Sequence, residues 1–336
     1  MCLLVLAAGL MQVKGLQANG DTLSKSFSIK GDWFMAHQWL VPNQDDNAFK
    51  LKRGYLTVES RFNDRFSVRY TQDITIDNEG DDAGNVELRF KYCYLKAQLP
   101  DVSIFRHSYV EFGLVHRPWI DFEEHINDYR VQGEMYLERV KLINSADFGL
   151  TYVTLLGGKI DSDYQQSVSN SYPGKYGSIS VGVYNGAGYH ALEANNNKTV
   201  EARFTLRPFP EGLPGLQFSY NMAVGHGNDT LQSDFQLNSF YVSYESQYLT
   251  LATQYYTGKG NMSGSYHGHN TGYSLFGEFV IPKTKLMLFS RYDWFNPGGS
   301  DACQSIMGGI GYRFYKQNKI LFDIDWSDKS TIRRIY

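Results

Sequence analysis

The feature that most constrains this chain is a period-two alternation of apolar and polar side chains that recurs from Ser26 to its end. In residues 86–94, valine, leucine, phenylalanine and tyrosine alternate mostly with glutamate, arginine and lysine, and residues 200–207 repeat the pattern. Successive side chains of a β-strand point to opposite faces, so each segment has one apolar and one polar face. A soluble antiparallel sheet shows the same alternation, so the number of strands and the lengths of the gaps must discriminate.

Fifteen such segments are predicted to be strands, and a sixteenth would begin near Ile332. Many reach about ten residues or more, the length that crosses a bilayer at a tilt, whereas strands of soluble proteins have about five or six. The pattern predicts an all-β fold, a transmembrane antiparallel β-barrel of about 16 strands. The predicted strands cover 26–40, 49–62, 65–76, 85–99, 107–117, 146–157, 176–185, 199–208, 215–225, 236–246, 248–258, 271–281, 285–295, 305–315 and 318–327.

The gaps between the predicted strands mostly alternate between short and long. Outer-membrane barrels have this asymmetry, with short periplasmic turns and long outer loops. Residues 158–175 depart from it, because a long segment stands where a short turn is expected. The sequence ends at Tyr336, so we also expect the last strand to be incomplete.

The N-terminal segment predicts export. Residues 2–11 form an apolar run that is too short to span a bilayer as a helix, and residues 15–18 provide a plausible cleavage end. We expect a signal peptide at 1–18 and a single outer-membrane β-barrel domain at 19–336. The basic residues that usually precede such a run are missing, and a buried N-terminal strand or helix is the alternative. An exported chain without an apolar helix can still cross the outer membrane as a closed barrel.

Composition excludes several classes of protein. The 336 residues carry a formal net charge of -3 with no basic block, which argues against a nucleic-acid partner. Hydrophobic residues make up 42%, too few for a helical membrane protein, whereas 25 Tyr and 21 Phe suit strands with aromatic outer faces. No pair among the three cysteines has metal-ligand spacing, and no cofactor is expected.

Residues 117–130, which read RPWIDFEEHINDYR, resemble a run in the phosphate-selective porin O and P-like family of outer-membrane porins. Shorter stretches at 52–56, 145–149, 183–189 and 291–294 fit the same family in the same order. The resemblance implies a sixteen-stranded barrel that is usually trimeric, with the third outer loop folded into the lumen. A homotrimer in outer-membrane lipid is therefore expected.

The third outer loop is also the longest gap between predicted strands. Residues 118–145 are rich in Trp, Tyr, Ile and Leu, and outside a barrel they would expose this apolar surface to water. Folding the loop inward buries the surface and narrows the channel. Packing over the barrel mouth or against a neighbouring subunit is the alternative.

Charged residues on the polar faces must point into the lumen, because a charge that faces lipid costs about 2–4 kcal/mol at the midplane. Positive and negative charges are nearly balanced, so many of them could simply form salt bridges along the wall. The remainder would set the constriction, with the basic residues of the third loop as the strongest cationic candidates. The predicted pore-lining or constriction residues are Arg53, Arg69, Arg89, Lys91, Arg117, Glu123, Glu124, Arg130, Arg139, Lys141, Arg203 and Arg291.

These observations predict an outer-membrane porin of a Gram-negative bacterium that allows passive diffusion of small hydrophilic solutes or ions. One alternative is a substrate-selective channel for phosphate-like anions, and others are an outer-membrane hydrolase or a soluble exported β-protein. An enzyme is not expected, because His125, His267 and His269 do not form a catalytic constellation with other residues in the sequence. Two histidines in one loop are also weak support for a metal site, and none is predicted.

Overall fold

The computed structural model describes residues 26–39, 47–77, 81, 83–299 and 301–328. Within them the chain forms fifteen strands and three short helices. The predicted signal peptide, the predicted sixteenth strand and most of the acidic segment 77–82 lie outside the described residues. The strands are β1 (Ser26–Trp39), β2 (Asn47–Arg61), β3 (Phe66–Ile76), β4 (Val86–Gln98), β5 (Phe105–His116), β6 (Ala146–Leu156), β7 (Gly177–Tyr184), β8 (Thr199–Leu206), β9 (Leu216–His226), β10 (Asp234–Glu245), β11 (Leu249–Lys259), β12 (His269–Val280), β13 (Leu286–Asn296), β14 (Cys303–Tyr315) and β15 (Asn318–Ser327).

The strands form one antiparallel sheet in sequence order, and each strand pairs with the one before it along the chain. The predicted strands are confirmed, with small differences at their ends. Among the described residues β1 pairs with β2 and β15 with β14, but these two outer strands do not pair with each other. The sheet is nevertheless curled, since Gln132 contacts strands near both of its edges. Its side chain donates to Asp323 on β15 at 2.9 Å, and its carbonyl accepts from Lys52 on β2 at 3.1 Å.

The two faces of the sheet are inverted relative to a soluble protein. On β15, Phe322 and Ile324 are 47% and 45% exposed, while Asp323 and Asp325 between them are 4% and 9% exposed. Leu288 on β13 is likewise exposed, and its neighbours along the strand point inward. A soluble sheet buries its apolar face, whereas a barrel in lipid turns that face outward. This arrangement is the one that the alternation predicted.

The third outer loop, residues 118–145, folds into the barrel and is called the inserted loop below. It contains two short helices, α1 (Pro118–Glu124) and α2 (Tyr136–Arg139), and its apolar side chains are buried. Tyr129 stacks on Phe289 of β13 with ring centroids 4.2 Å apart. Gly272 on β12 permits the close approach of Tyr136, since a Cβ there would collide with the Tyr136 hydroxyl. The predicted inward folding is thus confirmed.

No helix in the described ranges is long and apolar enough to cross a membrane. The third helix, α3 (Ser162–Ser167), lies in the segment 158–175 between β6 and β7. The sequence pattern called for a short turn at this place. The structure instead has a separate hairpin-like segment, which begins with an isolated bridge between Lys159 and Gly174.

Candidate functional site

A basic strip runs along the inner face of β2, β3 and β4. Arg53 and Arg89 approach the same carboxylate from two strands, with guanidinium nitrogens 2.7 Å and 3.3 Å from the Asp73 side chain. Asp73 is buried, whereas both arginines are partly exposed. Arg89 also lies 3.6 Å from Glu87, and Arg69 on β3 lies 3.8 Å from Glu59. With Lys91 on β4, the strip sets four basic side chains against three carboxylates and so keeps one net positive charge.

Arg69 and Lys91 continue this strip among aromatic rings. The Lys91 ammonium lies 4.4 Å from the centre of the Tyr55 ring and donates to the Tyr55 hydroxyl at 3.2 Å. The Arg69 guanidinium lies 5.0 Å from the centre of the Tyr92 ring, and its Nη1 is 3.3 Å from His116 Nε2. Ring faces attract cations, so these contacts hold the charges in place without neutralising them.

The inserted loop presents an acidic cluster toward the strip. Arg130 lies among three carboxylates, at 3.3 Å from Glu124, 3.7 Å from Glu134 and 3.5 Å from Glu138. Three carboxylates around one guanidinium give this group a net negative charge. Glu138 also interacts electrostatically with Lys91 and with Arg53. The lumen therefore has a basic wall that faces an acidic loop, and the field runs across the pore.

Arg117 and Arg203, two further predicted site residues, fix the inserted loop and are fully buried. Arg117 lies 2.8 Å from Glu201 and 3.8 Å from Asp147. Arg203 donates to the Pro118 carbonyl at 3.1 Å. Both side chains therefore hold the beginning of the loop against β6 and β8.

Arg139 and Arg291 fix the far part of the inserted loop. Arg139 pairs with Asp325 at 3.0 Å, while Arg291 pairs with Asp293 at 2.6 Å and donates to the Glu134 carbonyl at 2.7 Å. All three of these contacts involve β13, β15 or the loop itself. The far part of the loop is thus held against β13 and β15.

Glu123 and Lys141 lie apart from the cluster around Arg130. Glu123 accepts a hydrogen bond from the Trp119 indole at 2.8 Å, and burial raises the pKa of its carboxyl to about 7. This group therefore carries only part of a charge at neutral pH. Lys141 is exposed at the end of the loop, where its φ of 60° is in the left-handed region.

A cavity of about 680 Å³ lies between the inserted loop and the end of the barrel with the short turns. Four of the twelve predicted site residues line it: Arg69, Lys91, Glu124 and Arg130. The other eight lie at the basic strip above, behind the inserted loop or at its exposed end. Pore lining by these residues stays a prediction.

Sequence reasoning missed Tyr189 and His190, which lie in the long connection between β7 and β8. Tyr189 packs against the buried aromatic cluster of β4 and interacts electrostatically with Lys91 and Arg53. The His190 ring is 4.6 Å from that of Tyr189, centre to centre. Loops have no period that reveals which side chains turn inward. The stretch 183–189 included Tyr189, but nothing in the sequence showed that its ring packs inward, and His190 carried no signal.

We predict that His190 makes ion selectivity depend on pH. Desolvation lowers the pKa of His190 below its usual 6.5, helped by Arg89 and Arg53 and opposed by Glu138 and Asp73. The ring is therefore neutral at pH 7 and gains a positive charge on acidification. Reversal potentials measured in a salt gradient should show the preference for anions rising by about twofold more than in His190→Gln as the pH is lowered from 7 and the ring takes up its proton.

Glu123, whose carboxyl has a raised pKa, also takes up a proton on acidification, but it does so in both proteins, so the difference isolates the histidine. His107→Gln, which alters an exposed residue at a short turn, should behave like the unchanged protein. Equal pH dependence in all three proteins would contradict the assignment.

Among the described residues no three His, Cys, Asp or Glu side chains are arranged to hold a metal ion. His267 does meet a serine, with its Nδ1 2.9 Å from the Ser233 Oγ. That hydroxyl donates to Asp229 at 2.6 Å, so it has no proton to give to the histidine. A nucleophilic triad requires the acid to orient the histidine rather than to hold the serine. The contact is therefore an ordinary loop hydrogen bond.

The structure is similar to known outer-membrane proteins. It superposes on OmpF of Salmonella typhi, solved in complex with daunomycin, with a TM-score of 0.59 and 11% identity, covering 90% of this chain and 97% of that one. OmpT of Vibrio cholerae in its trimer form superposes with a TM-score of 0.56 and 13% identity, covering 92% of this chain and 89% of that one. The outer-membrane channel DcaP of Acinetobacter baumannii superposes with a TM-score of 0.50 and 12% identity, covering 94% of this chain and 100% of that one.

No family model matches the sequence, and neither does any curated protein. Identities this low show a shared fold alone. This shared fold, together with the inverted faces of the sheet and the inserted loop, defines the chain as an antiparallel β-barrel of the outer-membrane porin type.

Proposed function

We propose that the protein is an outer-membrane porin through which small hydrophilic solutes and ions diffuse passively. One observation carries the proposal: apolar side chains cover the outside of the sheet, while charged side chains and a folded-in loop occupy its inside. A surface of this kind is stable only with lipid around it and water within it. The charges across the lumen replace part of the hydration that an ion or polar solute loses on entry.

Location and assembly follow from the same proposal. The outer membrane of a Gram-negative bacterium is where such barrels are found, and a signal peptide at 1–18 would bring the chain there. OmpT of Vibrio cholerae, which has the same fold, is described in a trimer form. A homotrimer is therefore proposed for this chain, with lipid around its outer faces.

A channel selective for phosphate-like anions is the second candidate, and the motif at 117–130 is what supports membership of the porin O and P-like family. The ion pairs favour the general porin instead. Selective binding of a phosphate requires basic groups whose charge is still available to it. Most arginines of the predicted site already pair with carboxylates; these are Arg53, Arg69, Arg89, Arg117, Arg130, Arg139 and Arg291.

Planar bilayers test the proposal directly. We expect the purified, refolded protein to produce stepwise increases in conductance, and to migrate faster on gels before boiling than after it. Inorganic phosphate added to the chloride solution should lower chloride conductance no more than sulfate does. Folded protein without conductance steps would refute the porin. Selective block by phosphate would favour the second candidate.

The proposal assigns no enzymatic activity. The fold is shared with a channel, DcaP, and the one contact between a serine and a histidine in the described outer loops lacks the geometry of a triad. Hydrolysis of a lipid or peptide substrate that is lost in His267→Gln would contradict this part of the proposal.

A further inference from the structure

Residues 158–175, called the strap below, form an independent unit where a short turn was expected. Two backbone hydrogen bonds of 2.8 Å close its stem, from Ile160 to the Pro173 carbonyl and from Lys175 to the Gly158 carbonyl. Asp161 caps α3 by accepting from two backbone amides at 2.8 Å and 3.3 Å. A closed stem and a capped helix give the strap a defined shape.

The first anchor of the strap lies on the barrel wall. Tyr164 of α3 is buried, and its ring lies under the Arg207 guanidinium at 5.3 Å. Its hydroxyl is 3.5 Å from the Glu245 carbonyl at the end of β10. This contact turns the strap across the barrel opening rather than away from it.

The second anchor is the inserted loop. The Tyr172 hydroxyl donates to the Asp121 carboxylate, and its ring centre is 5.5 Å from that of Phe122. The Arg203 guanidinium contacts both rings, 4.2 Å from the centre of Phe122 and 4.5 Å from that of Tyr172. Strap and inserted loop therefore meet inside the barrel, the one entering from the end with short turns and the other from the opposite end.

The tip of the strap stands in the open part of the lumen. Residues 165–171 line the cavity of about 680 Å³, opposite Lys91 and Arg130. Their sequence, QQSVSNS, contains hydroxyl and amide groups but no charge. The tip therefore takes up space in the pathway without changing the charge that faces a solute.

We propose that the strap is a second constriction, which sets the size limit for solutes on the side of the short turns. The inference rests on the proposed porin function and adds to it a size-determining element separate from the inserted loop. Pore diameter is one of the principal determinants of which solutes pass. The anchors at Tyr164 and Tyr172 keep the strap from swinging out of the pathway.

Shortening the strap tests the inference. Replacing 160–173 with Asn-Gly closes the hairpin across the bridge between Lys159 and Gly174, since this pair favours a two-residue turn. We expect single-channel conductance to rise by at least about 1.5-fold, and larger neutral sugars to enter liposomes that hold the shortened protein. If the shortened protein has the same conductance and the same size limit for sugars as the full chain, the strap is not a constriction, while the porin function remains supported. If neither protein conducts, the porin itself is refuted and the strap with it.

A second experiment leaves the strap intact. In a background without the three native cysteines, Ser169→Cys places a thiol on the tip, and Ser162→Cys places one at the exposed start of α3 outside the cavity. Reaction with a bulky neutral thiol reagent should lower conductance by at least half in the first variant and leave the second unchanged. Equal responses would overturn the inference, even if the shortened protein failed to fold.

Discussion

Replacing Arg117 with methionine is expected to lower the free energy of unfolding by about 3–5 kcal/mol. The guanidinium is fully buried and lies between Glu201 and Asp147, at 2.8 Å and 3.8 Å. Methionine removes the positive charge and leaves two buried carboxylates without their cation. Unfolding of the refolded protein in urea, followed by tryptophan fluorescence in lipid vesicles, measures the loss.

The same substitution should also make the open channel noisier, because Arg117 joins the beginning of the inserted loop to the wall. Glu201 accepts a further hydrogen bond from the Trp119 backbone at 3.0 Å, so Arg117→Met/Glu201→Gln should recover part of the stability. Arg106→Gln is the matched control, since it breaks an exposed pair with Asp101 and should change stability by less than about 1 kcal/mol. An Arg117→Met protein as stable as this control would contradict the anchoring role.

The strands could be predicted because a barrel in lipid imposes its chemistry on every second residue. Phe322 and Ile324 must face outward and Asp323 and Asp325 inward, and no tertiary information is needed to assign them. The inserted loop could be predicted for a related reason, as its apolar side chains require burial whatever their partners. Both predictions rest on solvation, which acts locally.

The partners of the inner charges could not be predicted. Arg117 and Glu201 are 84 positions apart in sequence, and only the curvature of the sheet and the path of the loop bring them together. The alternation identified Arg117, Arg203 and Arg291 as inward-facing, and Arg139 was a candidate because it lies in the inserted loop. It could not show that they lie behind the inserted loop rather than in open water.

The strap shows a different limit. Nothing in QQSVSNS requires burial, so its composition is as compatible with a solvated loop as with a position in the lumen. Its location depends on Tyr164 and Tyr172, two aromatic residues in a polar segment whose partners lie on other elements. The two tyrosines in an otherwise polar segment indicated that something there is buried. They did not indicate whether the segment folds into the lumen or packs elsewhere.

Replacing Arg53 and Arg89 together with glutamine is expected to shift ion selectivity toward cations by about tenfold at low salt. A unit charge changes the energy of a monovalent ion about 10 Å away by about 0.4 kcal/mol in water, favourably for one sign and unfavourably for the other. Each lost charge should therefore multiply the cation-to-anion permeability ratio by about fourfold, less some screening. Reversal potentials in a gradient of potassium chloride around 10 mM measure the change.

Glutamine keeps an amide donor for Asp73, which both arginines contact, so the barrel should remain folded and heat-modifiable. Arg65→Gln/Arg106→Gln removes the same charge at exposed positions next to two short turns and should leave the reversal potential nearly unchanged. In 1 M salt, where screening acts within about 3 Å, the difference between the two variants should largely vanish. If both double variants shifted selectivity equally at low salt, net charge rather than the basic strip would govern permeation. The field between that strip and the acidic inserted loop would then have no part in selecting ions.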